Sequence, residues 1–213
     1  MAARKLQIVD LAGRPLGVRA LEKRRLILDA TRASLARCGL RELRVADIAR
    51  SVNTSPATFY QYFSSVEDVV LHLAAQANED MPALLELFQG NWRGREGQRR
   101  AREVVTFFMD YWEVHGPLLR IRNLAADEGD SRFMDLRRAA MEPILSAMVS
   151  LMERSGAAHK DSLIDPRSAA LAMSAILDRM AAYHKVVERE GVSRGNLVST
   201  CAQILFRTLT GKY

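Results

Sequence analysis

The sequence predicts an all-α protein in which a small N-terminal domain precedes a larger helical domain. Apolar residues recur at helical spacing along most of the 213 residues, and glycine or proline separates the segments. The stretch 99–115 is apolar around most of its circumference, which is typical of a helix inside a domain. Because 48% of the residues are hydrophobic, a sizeable core is available.

Positive charge is concentrated near the N-terminus. Residues 1–65 contain 12 Lys and Arg against 5 Asp and Glu, a balance of +7, whereas the whole chain carries +6. Such asymmetry is typical of a surface that binds nucleic acid, because cations displace the counterions condensed on phosphates. The charge alone also fits a basic surface that is merely solvated.

Residues 45–63 have the pattern of a DNA-reading helix-turn-helix, beginning with a short helix and a tight turn. The first helix is predicted over Val45–Ser51, and the turn at residues 52–54. Asn53 suits this turn because it adopts the left-handed conformation more readily than other non-glycine residues. The inward face of the helix has its apolar residues at spacings i, i+3 and i+4: Val45, Ile48 and Ala49.

A second short helix is predicted immediately after the turn. Ser55 is a suitable N-cap and Pro56 suits the first helical position, where its missing N–H costs nothing. The helix is expected to reach Phe63, with Phe59 and Phe63 in the core. Residues 54–57 are then exposed at its N-terminal end, which is the part that meets base edges in a helix-turn-helix.

This region resembles the TetR family of bacterial transcriptional regulators over roughly residues 24–73. The resemblance rests on Gly39-Leu40, on Val45-x-x-Ile48-Ala49, on Ser55-Pro56-Ala57-Thr58-Phe59-Tyr60-x-Tyr62-Phe63, and on Ser65-x-Glu67. Two positions differ from the usual pattern of the family. Arg44 stands where Thr or Ser is usual, and Val66 stands where a Lys usually holds a DNA phosphate. Arg44 is expected to replace that contact.

The resemblance implies a ligand-responsive regulator, a repressor that binds a palindromic operator in double-stranded DNA as a homodimer. Tyr60 and Ser64 or Ser65 are expected to hold phosphates. The residues expected near the major groove are Thr54, Ser55, Ala57, Thr58, Gln61 and Tyr62. The full predicted DNA-binding set is Arg44, Thr54, Ser55, Pro56, Ala57, Thr58, Tyr60, Gln61, Tyr62, Ser64 and Ser65.

Three domains are predicted along the chain. Residues 1–20 form a flexible basic arm that either reaches DNA or has no role, residues 21–66 form the DNA-binding domain, and residues 67–213 form the helical ligand-binding and dimerisation domain. The first helix is expected from Leu21 to Cys38, with Gly39 ending it. A capping box, Ser64-x-x-Glu67, is expected to start the fourth helix.

The C-terminal pattern predicts a loop over residues 90–97 and then a series of helices. Gly116-Pro117 is expected to break the helix 99–115, and a short helix to follow as far as about Ala126. Three longer helices are predicted. The first covers residues 131–154 and is expected to bend at Pro143. The second covers about 165–190, with Asp165 as N-cap and Pro166 at N1, and the third covers 194–210.

The TetR resemblance also implies a dimer interface on the last two helices and a cavity in the C-terminal domain. A largely apolar cavity favours a lipophilic small molecule, whose binding would release the operator. The predicted ligand-binding residues are Phe107, Phe108, Tyr111, Trp112, Phe133, Met134, Met141 and Tyr183. The predicted interface residues are Met173, Ile176, Leu177, Met180, Val187, Leu197, Cys201, Ile204 and Leu205.

The sequence predicts no catalytic, cofactor or metal chemistry. The four histidines lack HxxxH or HExxH spacing, and no Gly-x-Ser-x-Gly or phosphate-cradling glycine loop is present. Cys38 and Cys201 stand alone, which favours buried thiols over a disulfide or metal site. No apolar run of about 18 residues and no signal peptide is recognisable, so a cytoplasmic protein is expected.

Two other classes of function remain open at this point. The first is a DNA-binding activator or a DNA-binding protein that responds to no ligand. The second is a helical ligand-binding adaptor dimer whose basic end serves another anion.

Overall fold

Helices make up almost all of the regular structure. The computed structural model describes residue 11 and residues 13–38, 40–157 and 164–211. Within these residues the α-helices are α1 (Val18–Leu35), α2 (Val45–Ser51), α3 (Pro56–Phe59), α4 (Val66–Ala77), α5 (Met81–Leu87), α6 (Gly94–Asp127), α7 (Ser131–Ser155), α8 (Pro166–Arg189) and α9 (Arg194–Thr210). None of these helices has the length and apolar character needed to cross a bilayer. The predicted all-α class is confirmed.

The chain divides into two compact units, of which the first comprises Met1–Gln76 and Pro117–Met134. Its fully buried side chains include Ile27 of α1, Ile48 of α2, Phe59 of α3 and Leu73 of α4. Thr31 is also buried, and its hydroxyl donates to the Ile27 carbonyl at 2.8 Å. The described helices α1 to α4 therefore share one core, which holds the short α2 and α3 in place.

The second compact unit comprises Ala77–Gly116 and Asp135–Tyr213. The predicted N-cap of α8 is confirmed, because the Asp165 carboxylate accepts the Ser168 N–H at 2.7 Å. Close packing at the start of α6 depends on Gly97, where a Cβ would lie 2.4 Å from the Trp92 backbone and 2.7 Å from the Phe206 ring. The core residues of this unit include Val104, Met109, Ile144, Met148 and Leu205.

The two compact units differ in extent from the domains predicted from sequence. Residues 117–134, the end of α6 and the beginning of α7, group with the N-terminal helices. The functional assignment of residues 21–66 to DNA binding and of residues 67–213 to ligand binding and dimerisation stays a prediction.

The expected helix break at Gly116-Pro117 is wrong, because α6 continues through it as one helix of 34 residues. Proline removes one helical hydrogen bond and usually clashes with the Cβ of the residue before it. Gly116 has no Cβ, so this clash is absent and the helix can continue. The expected loop over residues 90–97 is also shorter, because α6 begins at Gly94.

The N-terminal boundary of α4 differs from the predicted capping box by one residue. The Ser65 hydroxyl accepts the Asp68 N–H at 3.2 Å, and the Asp68 carboxylate accepts the Ser64 N–H at 2.9 Å. Asp68 therefore takes the part expected of Glu67, which lies exposed at the helix surface. The side chain of Asp68 is shorter than that of Glu67, but it lies one residue farther along the helix, where its carboxylate can accept the Ser64 N–H.

The first helix is displaced toward the N-terminus relative to its prediction. It begins at Val18 and ends at Leu35, instead of running from residue 21 to 38. Gly39, expected to end it, lies outside the described residues, as do residues 1–10 and 12 of the predicted arm. Of that arm, Leu11 and residues 13–20 are described: the Leu11 N–H donates to the Gln61 carbonyl at 3.4 Å, and residues 18–20 belong to α1.

Candidate nucleic-acid interface

The turn between α2 and α3 is closed by backbone hydrogen bonds. Asn53 has a φ of 49°, the left-handed conformation expected from sequence. The Thr54 N–H donates to the Ala49 carbonyl at 3.0 Å, and the Asn53 N–H donates to the Arg50 carbonyl at 3.2 Å. These two bonds form a Schellman motif, which satisfies the last carbonyls of α2. The chain is thereby turned directly into α3.

The start of α3 is fixed by a side-chain cap. The Ser55 hydroxyl accepts the Thr58 N–H at 3.1 Å, and Pro56 occupies the first helical position, as predicted. Regular α-helix ends at Phe59 instead of Phe63, although the Phe63 N–H still donates to the Phe59 carbonyl at 3.1 Å. The two rings are fully buried, with centroids 5.9 Å apart, and anchor the segment in the core.

The predicted DNA-binding residues all have solvent-accessible surface. Tyr60 is 51% exposed and packs edge-on against the Phe59 ring. Its hydroxyl makes no hydrogen bond to another described residue. The exposed members of the set are Arg44, Ser55, Pro56, Ala57, Tyr60, Gln61 and Ser64, and the half-buried members are Thr54, Thr58, Tyr62 and Ser65. Their contacts with DNA stay a prediction.

The hydroxyl groups of Ser64 and Ser65 already take part in capping α4. The Ser64 hydroxyl donates to the Asp68 carboxylate at 3.2 Å, and the Ser65 hydroxyl accepts the Asp68 N–H. A phosphate would have to compete with Asp68 for the Ser64 hydroxyl. The Tyr60 hydroxyl has no protein acceptor in the described chain. It is therefore more available than the Ser64 hydroxyl to donate a hydrogen bond to a phosphate.

Two basic residues near the start of α1 contact the helix-turn-helix. The Lys23 ammonium donates to the Val52 carbonyl at 3.4 Å, and the Arg24 guanidinium lies 4.9 Å from the centroid of the Phe63 ring. Burial lowers the pKa of Arg24, and the charge of Asp68 acts in the opposite direction. These two cations therefore stabilise the helix-turn-helix.

Two aromatic residues of the predicted ligand site line one cavity in the second compact unit. The cavity has a volume of about 340 Å³, and the Phe107 and Tyr111 rings stack with centroids 6.1 Å apart. Its remaining lining residues are Glu79, Asp80, Ala83, Asp110, Val114 and His115. The acidic residues were missed from sequence, although Asp110, Val114 and His115 share the helical face of Phe107 at spacings of three, seven and eight.

The other predicted ligand-binding residues lie elsewhere. Phe108 and Trp112 are buried, and the Trp112 indole donates to the Asp178 carboxylate at 2.9 Å. Tyr183 is 40% exposed, with the Arg179 guanidinium 3.6 Å from its ring centroid, and Met141 is half-buried. Phe133 and Met134 belong to the first compact unit. Helical spacing predicts which face of its own helix each residue occupies, but it does not predict which other helix packs against that face.

The predicted dimer-interface residues fall into two groups by burial. Five are buried by the packing of their own chain and leave little surface for a partner: Met173, Leu177, Leu197, Cys201 and Leu205. Ile176 and Ile204 are 38% and 42% exposed, and Met180 and Val187 are half-buried. Burial also raises the pKa of the Cys201 thiol. Periodicity could not separate the inner from the outer face, because α8 is apolar on both.

Metal-binding clusters of His, Cys, Asp or Glu are absent from the part of the chain that the structure describes. Both cysteines are free thiols, Cys201 buried and Cys38 half-buried. The described helix-turn-helix has exposed hydroxyl groups at Ser55 and Tyr60 and the exposed cation of Arg44 just before α2. A helical protein with a capped helix-turn-helix that exposes small N-terminal residues belongs to the DNA-binding regulators.

Two family models match the sequence. The model "Bacterial regulatory proteins, tetR family" matches residues 27–73, and the model "Tetracyclin repressor-like, C-terminal domain" matches residues 84–213. The chain therefore belongs to the TetR family, whose members are transcriptional regulators, and the resemblance seen in the sequence is confirmed. No curated protein matches the sequence.

Several solved structures have a similar fold. A TetR-family transcriptional regulator from Streptomyces coelicolor is 16% identical with a TM-score of 0.65, covering 91% of this chain and 82% of that chain. A putative TetR-family regulator from Mesorhizobium loti is 19% identical with a TM-score of 0.64, covering 92% and 98%. The fatty acid degradation regulator FadR from Bacillus halodurans is 17% identical with a TM-score of 0.58, covering 93% and 97%. At these identities the likeness concerns the fold alone.

Proposed function

We propose that this TetR-family protein is a repressor that binds a palindromic operator as a homodimer and is released by a lipophilic small molecule. The observation that carries the proposal is the exposed N-terminal end of α3, fixed between the Asn53 turn and two buried phenylalanines. Its small residues, Ser55 and Ala57, allow the helix to lie deep in the major groove.

DNA recognition divides between phosphate and base contacts. Tyr60 donates its hydroxyl to a phosphate, and Arg44, exposed at the N-cap position of α2, supplies a second phosphate contact. Thr54, Thr58 and Gln61 lie nearer the base edges. Two such heads in a dimer reach successive major grooves about 34–36 Å apart, which requires a palindrome.

The homodimer uses the outward apolar faces of α8 and α9. Ile176 on α8 and Ile204 on α9 are exposed, and Leu171 and Val186 extend the apolar surface of α8 at 48% and 46% exposure. A two-fold axis would bring the same surface of each subunit together. Ile176→Glu is expected to give monomers in analytical ultracentrifugation, whereas Ile164→Glu, at an exposed position before α8, is expected to leave dimers.

Ligand binding is assigned to the cavity lined by Phe107 and Tyr111. Its volume of about 340 Å³ falls within the range of small-molecule sites. A ligand that favours the state with lower operator affinity shifts the dimer to that state, and the two affinities are reciprocally linked. A coupling of roughly 1–3 kcal/mol would weaken operator binding about 5–150-fold.

The deciding experiment is selection of random duplexes by the purified dimer at ~0.15 M salt, where nonspecific attraction is weakened. A single palindrome is expected. Tyr60→Phe, which removes only the hydroxyl, should then weaken binding to that palindrome at least about tenfold, because a hydrogen bond to a charged group is lost. Shuffled duplexes serve as the control, and circular dichroism verifies the fold of the variant.

Other outcomes would favour the remaining classes of function. A pool without consensus that is lost as salt rises would contradict the repressor and support an adaptor or architectural role. The affinity for the palindrome could be the same whatever cellular extract is added, and native mass spectrometry could detect no retained apolar molecule. These two results together would remove the ligand from the proposal. A retained apolar molecule that Phe107→Ser abolishes would support it.

A further inference from the structure

A second cavity lies wholly within the first compact unit and is larger than the cavity described above. Its volume is about 810 Å³, within the range of sites for drug-sized molecules. We call it the Leu124 cavity, because Leu124 is its most exposed apolar side chain, at 54%. Its walls come from the 3-10 turn before α2, from the start of α4, from the end of α6 and from the start of α7.

The inner wall of the Leu124 cavity is apolar and well fixed. Leu43, Val66 and Phe133 line it and are 7%, 8% and 1% exposed, so each is held by packing on its far side. Ile121 and Leu124 add a further apolar strip from one face of α6. An apolar molecule that covers this wall would remove Leu124 from water, which favours binding in proportion to the area covered.

Charged residues surround this apolar wall, and carboxylates outnumber guanidiniums. Four carboxylates line the cavity, from Glu42, Glu67, Glu128 and Asp130, against the two guanidiniums of Arg44 and Arg120. Hydrogen bonds from Arg132 hold Asp130 and lower its pKa. Glu42 and Glu128 make no side-chain hydrogen bond or ion pair to another described residue, so their charges are available to an occupant.

We infer that the Leu124 cavity binds an amphipathic organic cation, with its apolar part on Leu43, Val66 and Phe133 and its positive charge near Glu42 and Glu128. An apolar anion would meet the carboxylate excess and be repelled. A neutral apolar molecule would gain the wall contacts but leave the two carboxylates without a partner.

The position of the cavity links its occupant to DNA binding, a consequence that rests on the proposed function. Leu43 and Arg44 directly precede α2, and Val66 and Glu67 begin α4, so the lining residues flank the helix-turn-helix at both ends. A bound cation neutralises carboxylates that would otherwise repel DNA phosphates within a Debye length of about 8–10 Å. The occupant therefore strengthens operator binding. Its effect is opposite to that of a ligand in the cavity lined by Phe107 and Tyr111, which we call the Phe107 cavity.

The binding test uses octyltrimethylammonium, octyl sulfate and octyl glucoside as matched probes below their micelle concentrations. In isothermal titration calorimetry of the full-length protein, octyltrimethylammonium is expected to saturate one site per chain with a Kd on the order of 0.1 mM. Octyl sulfate is expected to bind at least about tenfold more weakly. Equal or tighter binding of octyl sulfate would overturn the cation, and no saturable binding of any probe would overturn the site.

Two variants locate the bound probe. Leu124→Arg places a positive charge at the cavity wall on an exposed position and should weaken the binding of octyltrimethylammonium at least about tenfold. The double variant Glu42→Gln with Glu128→Gln keeps the shape of the cavity and should also weaken this binding. Val192→Arg, an exposed apolar position in the second unit, is the charge-matched control and should change nothing. Loss of binding in Asp110→Asn, with Leu124→Arg unaffected, would place the cation in the Phe107 cavity and overturn the proposal.

The link to DNA is measured separately with the selected operator. At 0.05 M salt, saturating octyltrimethylammonium should tighten operator binding about two- to fivefold, and Leu124→Arg should remove that response. Calorimetric binding without a change in operator affinity would retain the site and overturn its link to DNA. Failure to select any operator would refute the proposed function while leaving the calorimetric result to stand alone.

Discussion

The helix-turn-helix and the helices around the cavity lined by Phe107 both have buried cores, but they differ in the polar contacts that join their elements. Between α2 and α3 the contacts are backbone hydrogen bonds, one side-chain cap and the buried Phe59 and Phe63 rings. In the second unit, partly exposed ion pairs join helices that are far apart in sequence: Asp110 with Arg194, Glu113 with Lys185, and Glu142 with Arg167.

The difference has a physical consequence for each region. Buried rings and backbone bonds keep their geometry when salt or pH changes, which suits a surface that must match DNA in shape. Exposed ion pairs contribute about 0–1 kcal/mol each and are screened by salt, so these pairs add little to the cost of separating the helices that they join. The following four predictions test this contrast, beginning with the largest effect.

Removal of a buried ring should destabilise the first unit strongly. Phe59→Ala is expected to lower the free energy of unfolding by about 3–5 kcal/mol, because Phe59 is fully buried. Tyr60→Ala is the matched control: the neighbouring ring is 51% exposed and should cost about 1 kcal/mol or less. Urea denaturation followed by circular dichroism measures both, and similar losses would contradict the anchoring role of Phe59.

The left-handed turn should be intolerant of β-branched residues. Asn53→Val is expected to cost about 1–2 kcal/mol, because Asn53 has a φ of 49° that a branched side chain adopts with strain. Asn53→Gly has no such strain and should remain near the stability of the natural chain. The midpoint of urea unfolding of the three proteins gives the comparison, and a stable Asn53→Val would show that the Schellman motif does not require this conformation.

Loss of the α3 cap should have a smaller effect on stability. Ser55→Ala removes the acceptor for the Thr58 N–H and is expected to cost about 1 kcal/mol. Ser55→Asp keeps the cap and should retain stability, yet its added charge on the reading face should weaken binding to the selected operator. A parallel change in stability and operator affinity in both variants would contradict the separation of the two roles.

The contribution of one exposed ion pair in the second unit to stability should depend on pH. Two hydrogen bonds from Arg167 lower the pKa of Glu142 below its ordinary value of 4.5. A carboxyl with a lowered folded pKa stabilises the protein above its unfolded pKa, and this contribution is lost as pH falls through the folded pKa. Glu142→Gln should therefore lower the Tm slightly at pH 7, and the difference should shrink as pH falls below about 4.5. A difference that does not shrink with falling pH would mean that the carboxylate charge is not its source.

The helix-turn-helix could be predicted because its signals act over a few residues. Asn53 at the turn, Ser55 as cap and Pro56 at the first helical position each fix a local backbone conformation, and all three are confirmed. Where two local solutions compete, the pattern is less decisive: Ser64 and Ser65, with Glu67 and Asp68, offer two overlapping capping boxes, and the structure uses the second.

The Phe107 cavity could not be predicted completely because it joins residues far apart in sequence. Glu79 and Asp80 precede α5, whereas Asp110 and His115 lie on α6, and no periodicity links the two segments. The continuation of α6 through Pro117 was missed for a similar reason, since packing along 34 residues outweighs one lost hydrogen bond.

Gly97 makes one position of the chain informative for comparing relatives. A Cβ there would lie 2.4 Å from the Trp92 backbone and 2.7 Å from the Phe206 ring, whereas a Cβ at the nearby Gly94 would meet no atom within 4 Å. A relative with alanine or a larger residue at the equivalent of position 97 must have the backbone at the equivalent of Trp92 displaced from the start of α6. That single letter in an alignment would therefore distinguish relatives that keep this close approach of the chain before α6 from those with a wider spacing.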